Sequence, residues 1–165
     1  MNRLTLKHYV TQAMVATIYV ALVQLFHFAS FGLIQFRIAE ILMIFVLFDK
    51  KFIWGVTLGC FLANLIGGGL WFDVVFGTFA TWLAAWLMVK TKRVLMIALL
   101  WPSIINGLIV GAFLTYGYLL GPLYVTVPSV FIGEWAVLYL LGWPLYLILK
   151  RNAGFMEFIV ANHSK

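Results

Sequence analysis

Residues 35–40 read QFRIAE and lead into an apolar run at residues 41–48, and this segment sets the architecture of the chain. Arg37 and Glu40 are three residues apart, nearly one helical turn, so their side chains project from one face. A lone charge in hydrocarbon costs roughly 2.5–3.5 kcal/mol on insertion scales, and much less when it faces a protein interior or a wet cavity. We therefore expect both side chains to line a polar pocket inside a helical membrane protein. The alternative is a buried ion pair that only fixes helix register.

The composition is that of an integral membrane protein. Of the 165 residues, 65% are hydrophobic and only 10% are charged, whereas a soluble domain is about half apolar and about a quarter charged. The length predicts one membrane domain over residues 1–165, with no separate soluble domain. The net charge of +6 does not indicate a nucleic-acid partner, because the basic residues form short clusters between apolar runs, as cytoplasmic loops do.

The apolar runs predict an all-α fold of six transmembrane helices. A hydrocarbon core of about 30 Å sets the length that such a helix needs. The predicted spans are residues 9–28, 33–48, 52–66, 73–89, 94–116 and 127–149.

The distribution of basic residues predicts the orientation of these spans. Lysine and arginine cluster near the N-terminus and at residues 50–51, 90–93 and 150–151, all on one side of a six-span path. The three connections on the other side, beginning with the loop at residues 30–32, carry none. The positive-inside rule therefore places both termini in the cytoplasm.

Polar side chains from several predicted spans lie near the outer side of the membrane. The candidate substrate-binding residues are Arg37, Glu40, Asn64, Asp73, Asn106, Glu134 and Trp135. Asn106 is deeper than the rest, and Asp73 could instead be a helix cap. Because scattered structural polar groups would not be so one-sided, we expect a pocket open to the outside. Its walls can be aromatic, from Phe36, Trp71, Phe72, Tyr116, Tyr118, Tyr124 and Trp135.

The balance of charges in this pocket indicates the kind of ligand. Three acids against one arginine leave the pocket acidic if all are ionised, which favours a ligand with a cationic or hydrogen-bond-donating edge. A carboxylate can accept two parallel N–H donors from a guanine-like ring, whose amide N–H and exocyclic amino group are adjacent. A second acid could hold an ammonium group. The sequence leaves open which acid has which role.

A stripe of small side chains runs along the first predicted span. Ala13, Thr17 and Ala21 are spaced by four, which allows another helix to approach closely. Packing inside the bundle and docking of a separate subunit both remain open. The single cysteine, Cys60, offers neither a disulfide framework nor a zinc site. We predict no metal, no cofactor and no catalytic residues, since neither a Gly-x-Ser-x-Gly elbow nor a His-Glu-x-x-His motif is present. An intramembrane enzyme and a channel remain as alternatives.

Three segments in this order resemble the QueT family, and the resemblance covers nearly the whole chain. They are QFRIAE at residues 35–40, GCFLAN at 59–64 and DVVFGT at 73–78. Members of that family are substrate-binding (S) components of energy-coupling-factor (ECF) transporters, assigned to queuosine precursors. The resemblance implies a six-helix bundle in the cell membrane of a bacterium, with an externally accessible site roofed by loops.

The resemblance also implies partners and a ligand class. A transmembrane coupling subunit and two ATPase subunits would supply the energy, and the stripe of Ala13, Thr17 and Ala21 resembles the face that docks the coupling subunit. The S component would reorient in the membrane when docked and release its ligand to the cytoplasm. The implied ligands are 7-aminomethyl-7-deazaguanine, 7-cyano-7-deazaguanine or queuine. An S component for another small vitamin is the alternative, since the pocket sets the ligand on a shared scaffold.

Overall fold

A computed structural model describes residues 3–30, 35–68 and 70–163, and the description below covers these residues. There is no β-strand among them, which confirms the predicted all-α class for this part of the chain. The helices are α1 (Arg3–Leu25), α2 (His27–Ser30), α3 (Ile38–Phe48), α4 (Phe52–Ile66), α5 (Asp73–Thr91), α6 (Leu95–Tyr116), α7 (Leu123–Arg151) and α8 (Ala153–His163).

Within the described residues, four helices are long and apolar enough to cross a membrane. They are α1 from Leu6 onward, α5, α6 and α7, whereas α3 and α4 are shorter apolar helices. Each of the six predicted apolar segments therefore contains a helix, while length and composition alone support four crossings. Large apolar side chains remain exposed along these helices, such as Trp54 at 66% and Ile148 at 64%. Exposed apolar surface of this extent indicates contact with lipid or with another protein.

Several limits of the helices differ from those of the predicted spans. The second span was predicted from residue 33, but α3 begins at Ile38, because residues 35–37 are not helical and Arg37 has φ −79° and ψ 83°. Residues 31–34, where we predicted the first outer loop, lie outside the described part of the chain. α1 ends at Leu25, before the predicted residue 28. α7 begins at Leu123 rather than at residue 127. Pro122, whose backbone is extended, directly precedes the helix.

Glycines allow α1 to pack closely against α4. A Cβ added at Gly59 would lie 2.6 Å from Cβ of Tyr19, and one at Gly55 would lie 2.7 Å from Oε1 of Gln12. The same Gln12 oxygen accepts a hydrogen bond from the Gly55 backbone N–H at 3.0 Å. This crossing fixes the depth and rotation of α1, so that Tyr19 is fully buried.

The remaining helices complete the bundle through α6, which packs against both α5 and α7. A Cβ at Gly111 would lie only 2.7 Å from Cα of Val127, so α6 and α7 also approach closely. Two segments are π-helical, Asp73–Gly77 at the start of α5 and Val137–Gly142 within α7. Single π-helical turns often occur at functional sites. The first of these packs against α4 and the second packs against α3.

Candidate functional site

The first turn of α3 brings Glu40 into a buried polar cluster. Glu40 is fully buried. Its Oε1 accepts a hydrogen bond from the Tyr19 hydroxyl at 2.5 Å and a longer one from the Thr81 hydroxyl at 3.4 Å. Helices α1, α3 and α5 therefore meet at a single carboxylate oxygen. Sequence analysis did not assign Tyr19 to the site; the available signal was a tyrosine hydroxyl in the middle of an apolar span.

Arg37 is held at the N-terminal side of α3 by side chains from α4. Its Nη2 donates to Oδ1 of Asn64 at 2.9 Å, and the Asn64 amide donates to the backbone carbonyl of Asp73 at 2.9 Å. The Cys60 sulfur lies 3.2 Å from Oγ1 of Thr81 and 3.8 Å from Nη1 of Arg37. The predicted residues Arg37, Glu40 and Asn64 thus belong to one cluster, with Cys60 at its centre.

A second carboxylate enters from α7. Glu134 and Asn106 are both 1% exposed, and Nδ2 of Asn106 donates to Oε1 of Glu134 at 3.1 Å. Glu134 also lies within electrostatic range of Glu40 and Arg37. A close backbone contact brings Glu134 to the cluster, because a Cβ at the neighbouring Gly133 would lie 2.4 Å from the backbone carbonyl oxygen of Gln35. The absence of a side chain there lets the segment before α3 pack directly on α7.

Three acceptors of this cluster have no hydrogen-bond partner among the described residues. They are Oε2 of Glu40, Oε2 of Glu134 and Oδ1 of Asn106, and each atom is buried. A buried polar group without a partner costs roughly 1–3 kcal/mol, and more when the group is charged. Groups of this kind in a native protein are explained by an unseen water, an ion or a ligand. The unpaired atoms are all carboxyl or amide oxygens, so they suit a cation or a ligand that donates N–H or O–H hydrogen bonds.

Asp73 lies at the end of the bundle where α1, α4 and α6 end. Its side chain accepts a hydrogen bond from the Tyr118 hydroxyl, which itself accepts one from the backbone N–H of Leu70 at 3.1 Å. Burial raises the pKa of Tyr118, and the hydrogen bond to Asp73 raises it further. Asp73 therefore contacts the deeper cluster through its backbone carbonyl and Asn64, while its carboxylate faces Tyr118.

A cavity of about 200 Å³ lies beside Asp73 and Tyr118. Its lining includes His27, Gln35, Gly67, Asp73, Leu114 and Tyr118. Drug-sized ligands occupy pockets of about 300–1,000 Å³, so this cavity suits a small molecule or part of one. Within the described residues, no group of three or more His, Cys, Asp or Glu side chains is arranged to hold a metal ion.

The structure does not bring Trp135 into the cluster. Its side chain is 41% exposed and stacks on Tyr139, with ring centroids 5.3 Å apart. Most of the other aromatic side chains that we expected as pocket walls are also exposed, including Tyr116 at 74% and Tyr124 at 80%. Tyr118, also among those aromatic side chains, does contact a candidate site residue, Asp73. Sequence proximity placed these rings near the site, but helix rotation directs most of them outward.

The small-residue stripe of α1 lies on the opposite side of that helix from Tyr19. Ala13, Thr17 and Ala21 are all exposed. A shallow groove of about 410 Å³ runs along this face, lined by Val10, Ala13, Met14, Thr17 and Ile18. The stripe is therefore not used for packing within the described bundle, which leaves lipid or another subunit as its neighbour.

These features define a class: a multi-helix membrane protein with ionisable side chains and unsatisfied acceptors inside its helical bundle. The chain belongs to the QueT transporter family, which matches it over residues 9–151. This confirms the family that the three sequence segments resemble.

One curated relative supports the same assignment. Over 74 residues the chain is 40% identical to the queuosine precursor transporter QueT of Lactococcus lactis subsp. cremoris. That match covers 44% of this chain and 43% of the relative, so the chain spans less than half of the length of the curated protein that it matches. No solved structure matches the chain significantly.

Proposed function

We propose that this protein is the substrate-binding component of an ECF-type importer and that it binds a queuosine precursor of the 7-deazaguanine class. Family membership and the name of the lactococcal relative support transport of such a precursor. The observation that carries the ligand class is the set of three buried acceptors, on Glu40, Glu134 and Asn106, that have no partner in the described part of the chain.

The deazaguanine ring has the donors that these acceptors need. Its amide N–H and exocyclic amino group are adjacent and parallel, so one carboxylate can accept both. Oε1 of each glutamate already accepts a hydrogen bond from the protein, which fixes each carboxylate and leaves Oε2 for the ligand. Arg37, the cation within electrostatic range of both acids, offsets the repulsion between them.

The second acid has a separate partner in the aminomethyl form of the ligand. A primary ammonium group forms charge-assisted hydrogen bonds with a carboxylate, and these are roughly twice as strong as neutral ones. The cyano form lacks this group. We therefore propose that the site prefers 7-aminomethyl-7-deazaguanine over 7-cyano-7-deazaguanine, with one glutamate on the ring edge and the other on the ammonium group.

Calorimetric titration of the purified protein with both deazaguanines tests this proposal. Glu40→Gln and Glu134→Gln should each weaken binding of the aminomethyl compound by at least tenfold, which is about 1.4 kcal/mol. The variant that also loses the preference for the aminomethyl over the cyano compound contains the acid that pairs with the ammonium group. Glu157→Gln, on the exposed face of α8, is the matched control and should bind as the wild type does. Wild-type affinity in both site variants would reject recognition by these acids.

The proposal extends to the topology and partners of the protein. Six spans with both termini in the cytoplasm place the start of α3 and the cavity near Asp73 on the outside, where substrate arrives. A transmembrane coupling subunit would dock on the exposed face of Ala13, Thr17 and Ala21, and two ATPase subunits would supply ATP hydrolysis. Uptake should therefore require the ATPases. Flux into proteoliposomes that contain this chain alone, without ATP, would contradict the coupling mechanism and favour a channel.

A further inference from the structure

The cavity near Asp73 is lined by a polar side chain, that of Gln35, which belongs neither to the hydrogen bonds between the described helices nor to those of the deep cluster. Gln35 is 3% exposed and lines the cavity, yet its side-chain amide makes no hydrogen bond with any described residue. Its backbone is fixed, because its carbonyl oxygen packs against Gly133 of α7. A side-chain amide offers one acceptor and two donors, and the cavity that Gln35 lines is large enough for a polar ligand group.

Asp73 supplies a charge to the same cavity. It is 5% exposed, and the Tyr118 hydroxyl donates to its Oδ2. Its Oδ1 accepts no hydrogen bond among the described residues. Tyr118 is itself fixed by the backbone N–H of Leu70. The cavity thus contains a carboxylate with one oxygen oriented by the protein and the other available to a ligand.

The side chain of Asn64 connects the residues of the cavity with the deep cluster. The Asn64 amide donates to the backbone carbonyl of Asp73, and its oxygen accepts from Arg37. Asp73 of the cavity and Arg37 of the deep cluster are therefore joined through one residue. Among the residues that the structure describes, the acceptors without partners fall into two groups, with Gln35 and Asp73 at the cavity and Glu40, Glu134 and Asn106 in the deep cluster.

We infer that the cavity is an outer capture subsite for the ammonium group of an amine-bearing substrate, occupied before the substrate reaches the deep cluster. This inference rests on the proposed function and adds an order of events to it. The ammonium group pairs with Oδ1 of Asp73 and donates a hydrogen bond to the side-chain carbonyl oxygen of Gln35. It then exchanges these two acceptors for a glutamate of the deep cluster. A charge on the approach path raises the association rate, while the dissociation rate reports the contacts of the final complex.

Association and dissociation rate constants test the inference, measured by surface plasmon resonance on protein in nanodiscs, with 7-aminomethyl- and 7-cyano-7-deazaguanine as probes. Asp73→Asn should lower the association rate constant of the aminomethyl compound about tenfold, in the range by which electrostatic steering raises association rates. Its dissociation rate constant, and both rate constants of the cyano compound, should change by less than about twofold, because the deep site is intact. Rising salt should slow association of the aminomethyl compound in the wild type and have little effect in Asp73→Asn.

Two further variants keep the test decisive if Asp73→Asn disturbs the fold. Asp73→Glu retains the charge and should restore most of the salt-dependent association, and Glu157→Gln removes an exposed charge elsewhere and should change nothing. An unchanged association rate in Asp73→Asn overturns the inference, and so does an equal loss for both compounds. A faster dissociation of the aminomethyl compound would instead place Asp73 in the final complex. If the wild type binds neither compound, the proposed function itself fails, and this result is distinct from those three.

Discussion

The Tyr19 hydroxyl on α1 donates a hydrogen bond to Oε1 of Glu40 on α3, with the two oxygens 2.5 Å apart. Both side chains are fully buried. Tyr19 lies on the same helix as the exposed stripe of Ala13, Thr17 and Ala21. This bond therefore connects the helix that carries the proposed docking face with an acid of the candidate site.

Removing the hydroxyl of Tyr19 should weaken ligand binding. Tyr19→Phe retains the ring that packs against Gly59 but leaves Glu40 with only the longer hydrogen bond from Thr81. We expect about a tenfold loss of affinity, since hydrogen bonds to charged groups contribute roughly 1.5–3 kcal/mol. Calorimetric titration measures it. Tyr139→Phe is the control, because that hydroxyl donates to the backbone carbonyl of Met96 at 2.6 Å, away from the cluster. Equal losses of affinity in the two variants would contradict a specific role for Tyr19.

Two threonines on α5 should respond in opposite ways to the same substitution. The Thr81 hydroxyl lies within hydrogen-bond distance of both Cys60 and Glu40, whereas the buried hydroxyl of Thr78 has no partner among the described residues. Thr81→Val should lower stability by about 1 kcal/mol and weaken ligand binding. Thr78→Val should leave stability unchanged or raise it, because the substitution removes an unsatisfied polar group. Thermal unfolding in detergent compares the two variants, and a larger loss in Thr78→Val would refute the assignment of partners.

Adding a methyl group at Gly59 should disturb the crossing of α1 and α4. The new Cβ would lie 2.6 Å from Cβ of Tyr19 and 3.1 Å from Cα of Ala16. Neither neighbour is the end of a flexible chain, so the helices must separate, and overpacking of this kind costs about 1–3 kcal/mol. Gly59→Ala should therefore lower the melting temperature and weaken ligand binding through displacement of Tyr19.

The matched control for this substitution is Gly121→Ala. A Cβ at Gly121 would meet its nearest neighbour, Cγ2 of Thr126, at 3.9 Å, which is ordinary van der Waals contact. Its melting temperature should stay close to that of the wild type. If Gly59→Ala behaves like this control, α1 is not packed on α4 as closely as the structure indicates.

A bulky side chain on the exposed stripe of α1 should block transport without weakening ligand binding. Thr17→Trp fills the groove beside Ala13 and Met14 without contact with the buried cluster. We expect ligand affinity to stay within twofold of the wild type while ATP-dependent uptake with the coupling module is largely lost, because small side chains are what allow close helix contact in a membrane. Val75→Trp, at a 54% exposed position on α5, is the control and should retain uptake. Normal uptake in Thr17→Trp would exclude this face as the docking surface.

Several residues of the candidate site could be identified from the sequence, for a specific reason. An arginine and acids within apolar runs are costly in hydrocarbon, so Arg37, Glu40 and Glu134 were visible without coordinates, and all three are buried and within electrostatic range of one another. Tyr19 and Gln35 were not assigned, because a neutral polar side chain in or beside an apolar run gives a weaker signal than a charge.

The sequence by itself determined that this is a helical membrane protein, which segments are apolar, and where along the chain its charges lie, since the cost of a charge in hydrocarbon depends on composition and local spacing. Only the tertiary structure decided which of those groups meet. Tyr19 and Glu40, Asp73 and Tyr118, and Asn106 and Glu134 are between 21 and 45 residues apart in the chain. Hydrogen bonds form only within a few tenths of an ångström of the right distance, and the rotation and depth of packed helices set that distance. The same rotation directed Trp135 away from the cluster and left one oxygen of Glu40 and one of Glu134 without a partner among the described residues.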